Sequence, residues 1–210
     1  MKEIIFSIII PTVKNNIYLE ECLNKLNNLN DMNFEVIVVS EENITLKTNT
    51  NYQYTNIINS EKNPGLKRDI GCSHSKGSYL AFIDDDAYPN KHWLKNALKL
   101  IENGHEIIGG PALNINTDTF LSKLLSSIFI SIFAGSESIR NSMGKERLID
   151  DWHSVNLIVS KEIFINVNGF DTYIWPGEDT ILMEKLNNYN ITYAPNVIVL
   201  SSEVGNDQFF

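Results

Sequence analysis

Ser78-Tyr-Leu-Ala-Phe-Ile-Asp84-Asp85-Asp86-Ala-Tyr-Pro89 decides how the rest of the chain is read. Tyr79 to Ile83 is a short apolar run of the kind that forms a buried strand. It ends in three adjacent carboxylates, and Pro89 is expected to close the turn after them. Carboxylates this close repel one another unless a cation or a set of donors holds them. In extended chain, side chains alternate, so Asp84 and Asp86 are expected on one side, able to grip one ion, with Asp85 directed elsewhere. A solvated acidic turn is the plain alternative. Placement directly after a buried strand favours a metal, since ligands of open α/β sheets gather beyond the carboxyl ends of the strands. Hard oxygen ligands favour Mg²⁺ or Mn²⁺ over zinc.

The remainder of the chain suits an α/β fold around that strand. It has 210 residues, 43% of them hydrophobic, enough for one domain with a full core. A net charge of −9 argues against a nucleic-acid partner and against electrostatic docking on anionic lipid. Cys22 and Cys72 lack metal-ligand spacing and read as buried, reduced thiols, so a cytoplasmic protein is expected. Met1-Lys2-Glu3 leads straight into Ile4-Ile5-Phe6, an apolar run too short for a signal core, and no signal peptide is expected.

Ile4 to Ile10 and Phe34 to Val39 are near-continuous apolar runs, as expected of parallel strands covered on both faces. Between them Leu19, Cys22, Leu23 and Leu26 recur at helical spacing. Thr45 to Thr55 is polar and reads as loop, with a short third strand at Asn56-Ile57-Ile58. Asn63-Pro64-Gly65 is a turn signal, Leu66 to Ser75 a helix, and Gly77 its stop. Trp93 to Ile101 is an amphipathic helix ending near Gly104. Ile107 to Pro111 is a strand running into a glycine-rich bend, either a plain turn or a close approach of ligand or backbone. Trp152 to Ile158 returns to apolar character, Lys161 begins a short helix, and Ile191 to Tyr193 and Val197 to Leu200 are the last strands.

Two segments carry more than one reading. Phe120 to Ala134 bears an apolar stripe, from Phe120 and Leu121 to Ile132 and Phe133. It is either a core helix or one that lies on a membrane or covers a lipid-like acceptor. On the second reading the protein makes a peripheral contact with the inner face of the cell membrane through residues 120–134. In Tyr173-Ile174-Trp175-Pro176-Gly177-Glu178-Asp179, the Pro-Gly pair puts two acids at a helix start, where the dipole alone favours them. They are also placed to stand at a pocket mouth, with Trp175 as either a core anchor or a sugar-stacking ring.

Taken in order, these pieces resemble family 2 glycosyltransferases of the GT-A fold, over nearly the whole length. Phe6-Ser-Ile-Ile-Ile-Pro-Thr12 resembles the opening strand of that family, and Glu35-Val-Ile-Val-Val39 its second. Gly65-Leu-Lys-Arg68-Asp69-Ile-Gly71 resembles its Arg-Asn-x-Gly helix, and Asp84-Asp85-Asp86 its DxD motif. Asn156-Leu-Ile-Val, Gly169-Phe170-Asp171 and Gly177-Glu178-Asp179 resemble its acceptor half. There are departures. Ser40 and Glu41 stand where the family ends its second strand in aspartate, and Asp69 stands for its asparagine. No histidine follows the last strand to complete a metal shell, which leaves that place to water or Glu203.

The resemblance implies a mostly parallel central sheet flanked by helices, in one domain over residues 1–210. Residues 1–110 would form the nucleotide-sugar half and residues 111–210 the acceptor half. It implies an inverting, metal-dependent hexosyltransferase moving sugar from a nucleotide-diphosphate donor to a glycan or lipid-linked acceptor. By that resemblance Asp84 and Asp86 hold Mg²⁺ or Mn²⁺. Pro11, Thr12, Glu41 and Asp85 meet the nucleoside, and Arg68 pairs with the diphosphate. Asp179 is the general base, and Asn156, Trp175, Gly177 and Glu178 contact the acceptor. A non-catalytic glycan-binding relative of the same fold and a nucleotidyltransferase are the alternatives.

Overall fold

The computed structural model describes residues 4–29, 33–47, 49–114 and 145–201. The 120–134 segment and Glu203 lie outside them. Strands β1 (Phe6–Pro11) and β2 (Phe34–Ser40) are buried at every residue. Continuous apolar runs do this because both faces of such a strand are covered. Phe6, Ile8 and Ile10 pack into one core layer and Ile9 into the other. Strand β4 (Tyr79–Ile83) alternates in the same way, Ala81 and Ile83 against Leu80 and Phe82. Burying one such isoleucine or phenylalanine contributes roughly 1.5–3 kcal/mol, so these runs dominate the stability of the sheet.

Strand β3 (Gln53–Ile58) pairs parallel to β2 along its full length. It begins earlier than Asn56 because it is an edge strand, whose exposed positions carry polar side chains such as Gln53 and Thr55. Three-residue strands follow: β5 (Ala87–Pro89), β6 (Ile107–Gly109), β7 (Ala112–Asn114) and β8 (Arg147–Ile149); of these the sequence announces β6, within the expected Ile107 to Pro111 strand. Pro89 does not close the turn after the carboxylates; it pairs with Val199. Strands β9 (Asn156–Ser160), β10 (Ile191–Tyr193) and β11 (Val199–Ser201) complete the set.

The strands form an eight-stranded sheet of order β3-β2-β1-β4-β9-β6-β10-β8 and a three-stranded sheet of order β5-β11-β7. In the large sheet β9 runs antiparallel to both β4 and β6, and β8 antiparallel to β10; every other pair is parallel. Strands from both halves of the sequence therefore share one sheet.

Helix α1 (Ile17–Leu26) starts at Asn16, whose side chain accepts from the Leu19 amide at 2.9 Å. Helix α2 (Pro64–Ser73) starts at Asn63, which accepts from the Gly65 amide at 2.8 Å, with Pro64 in the first turn, where a missing N–H costs nothing. Gly71 lets α2 lie close on β1, because a Cβ there would run into Ile9. Helices α3 (Trp93–Glu102), α4 (Lys161–Asn166) and α5 (Glu178–Lys185) follow. The glycine bend after β6 is a close approach of backbone to backbone: a Cβ on Gly110 would overlap the Val197 carbonyl. No helix among the described residues is long and apolar enough to cross a membrane.

Candidate active site

The ends of β1, β2 and β4 converge with the buried face of α2 and the start of α5. The acidic triplet is not extended. Ala87 N donates to the Asp84 carbonyl at 3.2 Å, which makes residues 84–87 a turn and removes the basis for strict alternation. Asp84 and Asp85 nevertheless diverge. Asp84 Oδ1 accepts from Arg68 Nη2 at 2.5 Å. Asp85 Oδ2 accepts from Thr12 Oγ1 at 2.5 Å and from Asn16 Nδ2 at 2.9 Å, tying the end of β1 to the start of α1.

Arg68 is only 3% exposed. Besides Asp84 it faces Glu178 Oε1, 3.9 Å from Nη1, and its guanidinium lies over the Phe170 ring, 5.5 Å from the centroid. Two carboxylates of the chain therefore share the guanidinium that was expected to pair with a diphosphate. Its Nε and Nη1 are buried without a hydrogen-bond partner.

The carboxylates around Arg68 are not alike. Burial pushes Asp84 above the ordinary range despite Arg68, and the nearby charges of Asp179 and Asp85 push the same way. Burial and the negative charges of Asp84 and Asp85 raise Asp86 to about 6. Glu178 is raised by burial and by Asp179. Asp179 goes the other way. Burial would raise it too, but the hydrogen bond from His153, the Arg68 charge and Ser154 together bring it below the usual value. Its donors are side chains: His153 Nδ1 lies 3.4 Å from Asp179 Oδ2.

The nucleoside side has its own cation. Lys67, 2% exposed, donates to the Thr12 carbonyl at 2.5 Å and lies 3.5 Å from Glu41 Oε1. Lys62 also pairs with Glu41, and that contact, with the charge of Lys67, holds the Glu41 carboxyl below its ordinary value. Thr12 and Glu41 are brought together as expected; Pro11 is buried in β1 beside them.

On the acceptor side, Gly177 caps α5 with φ +121°, a conformation glycine adopts freely. Trp175 is 43% exposed beside Tyr173 at 94%, so it is no core anchor. Asn156 departs from expectation. It is fully buried, and its amide accepts from Trp93 Nε1 at 2.9 Å and donates to the carbonyls of Pro111 and Val197 at 3.0 and 2.8 Å. Those bonds use the side chain to join the two sheets and leave it none for an acceptor.

Sequence reasoning missed Lys67, Asp69 and His153. Asp69 accepts from the Phe170 and Asp171 amides at 2.9 and 2.8 Å, and so holds the loop leading to Trp175. The one available signal was Asp69 itself, an acid in an otherwise apolar and basic helix face.

The donor set suits a hard divalent ion. Among the described residues no three His, Cys, Asp or Glu side chains converge as a full ligand shell. Mg²⁺ and its like need only one or two carboxylates when phosphate and water supply the rest. Asp86, raised to about 6 by its acidic neighbours, sits in negative potential that such an ion would relieve.

A family model described as glycosyl transferase family 2 matches residues 7–164. The glycosyltransferase AglE of Haloferax volcanii is 24% identical over 205 residues, covering 91% of this chain and 65% of that protein. The crystal structure of Staphylococcus aureus TarS 1-349 with UDP-GlcNAc superposes with a TM-score of 0.69 at 20% identity, over 95% of this chain and 59% of that one. A mannosyltransferase from Pyrobaculum calidifontis, with GDP-Man and Mn²⁺, does so with a TM-score of 0.63 at 16% identity, over 95% and 57%. The chain spans less than two thirds of the length of each of these.

Proposed function

Because the chain belongs to glycosyltransferase family 2, we propose that it transfers a sugar from a nucleotide-diphosphate donor to a hydroxyl of a glycan or lipid-linked saccharide, with inversion at the anomeric carbon. The observation that carries this reading is the meeting of Asp84, at the end of β4, with Glu178, at the start of α5, on the one buried guanidinium of Arg68. A donor site and an acceptor site are thereby joined through a single charge. The nucleotide sugars held by the TarS and mannosyltransferase structures support the donor class, and the Mn²⁺ of the second supports a divalent ion here.

In the proposed reaction the acceptor oxygen attacks the anomeric carbon. The bond from that carbon to the diphosphate oxygen breaks, its electron pair leaves with the nucleoside diphosphate, and the acceptor proton passes to Asp179. Asp179 suits this role because His153, Arg68 and Ser154 hold its carboxyl below the usual carboxylate value, whereas burial and Asp179 raise that of Glu178 beside it. Glu178 and Trp175 orient the acceptor, the ring offering a face for a sugar and Gly177 the bend that presents both. Asp84 and Asp86 are the residues that would hold Mg²⁺ or Mn²⁺. The ion, when bound, offsets charge developing on the diphosphate. Thr12, Asp85 and Glu41 frame the nucleoside. Arg68 serves the donor side by fixing Asp84.

A panel of UDP- and GDP-sugars, screened by thermal shift with Mn²⁺, identifies the donor, since a bound donor raises the melting temperature. Asp179→Asn is then expected to keep the donor-induced shift while kcat falls by roughly a hundredfold or more. Near-normal turnover in Asp179→Asn with an inactive Glu178→Gln moves the base to Glu178. No thermal response to any nucleotide sugar counts against the donor assignment.

A further inference from the structure

The two oxygens of Asp179 differ. Oδ2 faces His153 Nδ1 at 3.4 Å, whereas Oδ1 is buried with no hydrogen-bond partner. A buried carboxylate oxygen without a donor carries a desolvation penalty that an incoming hydroxyl removes. His153 is held in place by its neighbours. Trp152, Ser154 and Asn156 are all buried, Trp152 Nε1 donates to the Asn156 carbonyl at 3.2 Å, and the Asn156 amide donates to the His153 carbonyl at 3.5 Å. The His153 ring itself is left half-exposed, directed at the start of α5. Arg68 and Asp84 also bear on Asp179 from α2 and the end of β4, with Ser154 from the segment before β9 and Glu178 from its own helix. Of these, Ser154 is a second hydrogen-bond partner of Asp179, while Arg68, Asp84 and Glu178 act on it through charge.

We propose that His153 is the positioning residue of Asp179: its Nδ1–H holds Oδ2 so that Oδ1 is the oxygen that receives the acceptor proton. This rests on Asp179 being the base. It requires the Nδ1-protonated tautomer, the minor one for a neutral imidazole free in water. Asparagine in the same place keeps a donor nitrogen near Nδ1, and alanine keeps none.

Turnover of a UDP- or GDP-sugar, followed by nucleoside diphosphate release, is measured for His153→Ala, His153→Asn, Asp179→Asn and the double variant His153→Ala/Asp179→Asn. His153→Ala is expected to lower kcat about tenfold, with donor KM and melting temperature unchanged. His153→Asn is expected to recover most of that loss. In the Asp179→Asn background His153→Ala is expected to do nothing further, because its target is gone. Equal losses in both backgrounds overturn the proposal, as does a His153→Asn no better than His153→Ala. An inactive Asp179→Asn beside an unaffected His153→Ala sinks the positioning role alone. An active Asp179→Asn sinks the base, and the positioning role with it. A substrate-free arm reads the tautomer by long-range ¹H–¹⁵N spectra. Nδ1 protonation is expected in the native chain and a shift to Nε2 in Asp179→Ala; the same tautomer in both overturns the proposal.

Discussion

Lys67 and Arg68 are consecutive residues of one helix, both almost fully buried, and they lead opposite lives. Lys67 meets a backbone carbonyl and Glu41, and Glu41 has a second lysine in Lys62. Positive charge there matches or exceeds negative. Arg68 meets Asp84 and Glu178, with Asp179 close enough to feel its charge. Negative charge exceeds positive, and two of the three carboxyls rise above their ordinary range in response. The difference separates a brace from a working site. The Lys67 corner is electrically complete and fixes the end of β1. The Arg68 corner holds a surplus of acid that a cation or a transferred proton would relieve.

Removing Arg68 is the harshest way to break the comparison. Arg68→Met strands its carboxylates, and with Glu178 largely buried but the Asp84 side chain 37% exposed, a loss of about 2–3 kcal/mol is expected, below that of a fully buried pair. Urea denaturation at pH 7.5 is expected to show that loss, shrinking as the pH falls and the carboxyls protonate. A loss independent of pH would mean that packing on Phe170, rather than charge, is what Arg68 contributes.

Asp86 sharpens the contrast with opposite sign. Its folded pKa of about 6 exceeds the ordinary 3.8, so the folded state holds the proton more tightly. Its contribution is fully present below about pH 4 and is lost as the pH rises through 6. Asp86→Asn, neutral throughout, is therefore expected to be more stable than the native chain at pH 7.5. The gain is about 1–2 kcal/mol after discounting for partial exposure, and it vanishes below pH 4. With Mn²⁺ and a nucleoside diphosphate the order is expected to reverse, because only the native chain gains stability from the pair. Equal stabilisation of both proteins by the ligand would remove Asp86 from the metal site.

The mildest change is Lys67→Met. It removes the donor of the Thr12 carbonyl and the longer contact to Glu41, which stays paired with Lys62, and a loss of about 1 kcal/mol is expected. A loss as large as that of Arg68→Met would show that the two corners are equally strained.

What the sequence disclosed follows from range. β1, β2 and β4 were legible because a strand buried on both faces must be apolar without a break, and α1 because Leu19, Cys22, Leu23 and Leu26 recur at helical spacing; the caps Asn16 and Asn63 show only in the fold. The convergence of acids at the strand ends was legible because Asp84 to Asp86 directly follow β4. Asn156 misled because a motif position carries no statement of burial; only the folded chain shows Trp93, Pro111 and Val197 closing on it. The roles of His153 and Asp69 were hidden for the same reason, although Asp69 stood out as a departure: their partners, Asp179 and the Phe170–Asp171 amides, are far away in sequence. Of the small sheet only β11 was foreseen, overlapping Val197 to Leu200; β5 and β7, three residues each, show no period.

The insertion of β9 between β4 and β6 also fixes an order of events during synthesis. A chain leaving the ribosome has β1 to β4 and both of their helices long before Asn156–Ser160 emerges. Until then β4, whose Leu80 to Ile83 are fully buried in the finished protein, is an open edge on one side. A bare apolar edge is the template on which chains stick to one another. Until its own antiparallel strand arrives, the strand that ends in the candidate metal carboxylates has one edge without its final partner, as does β6.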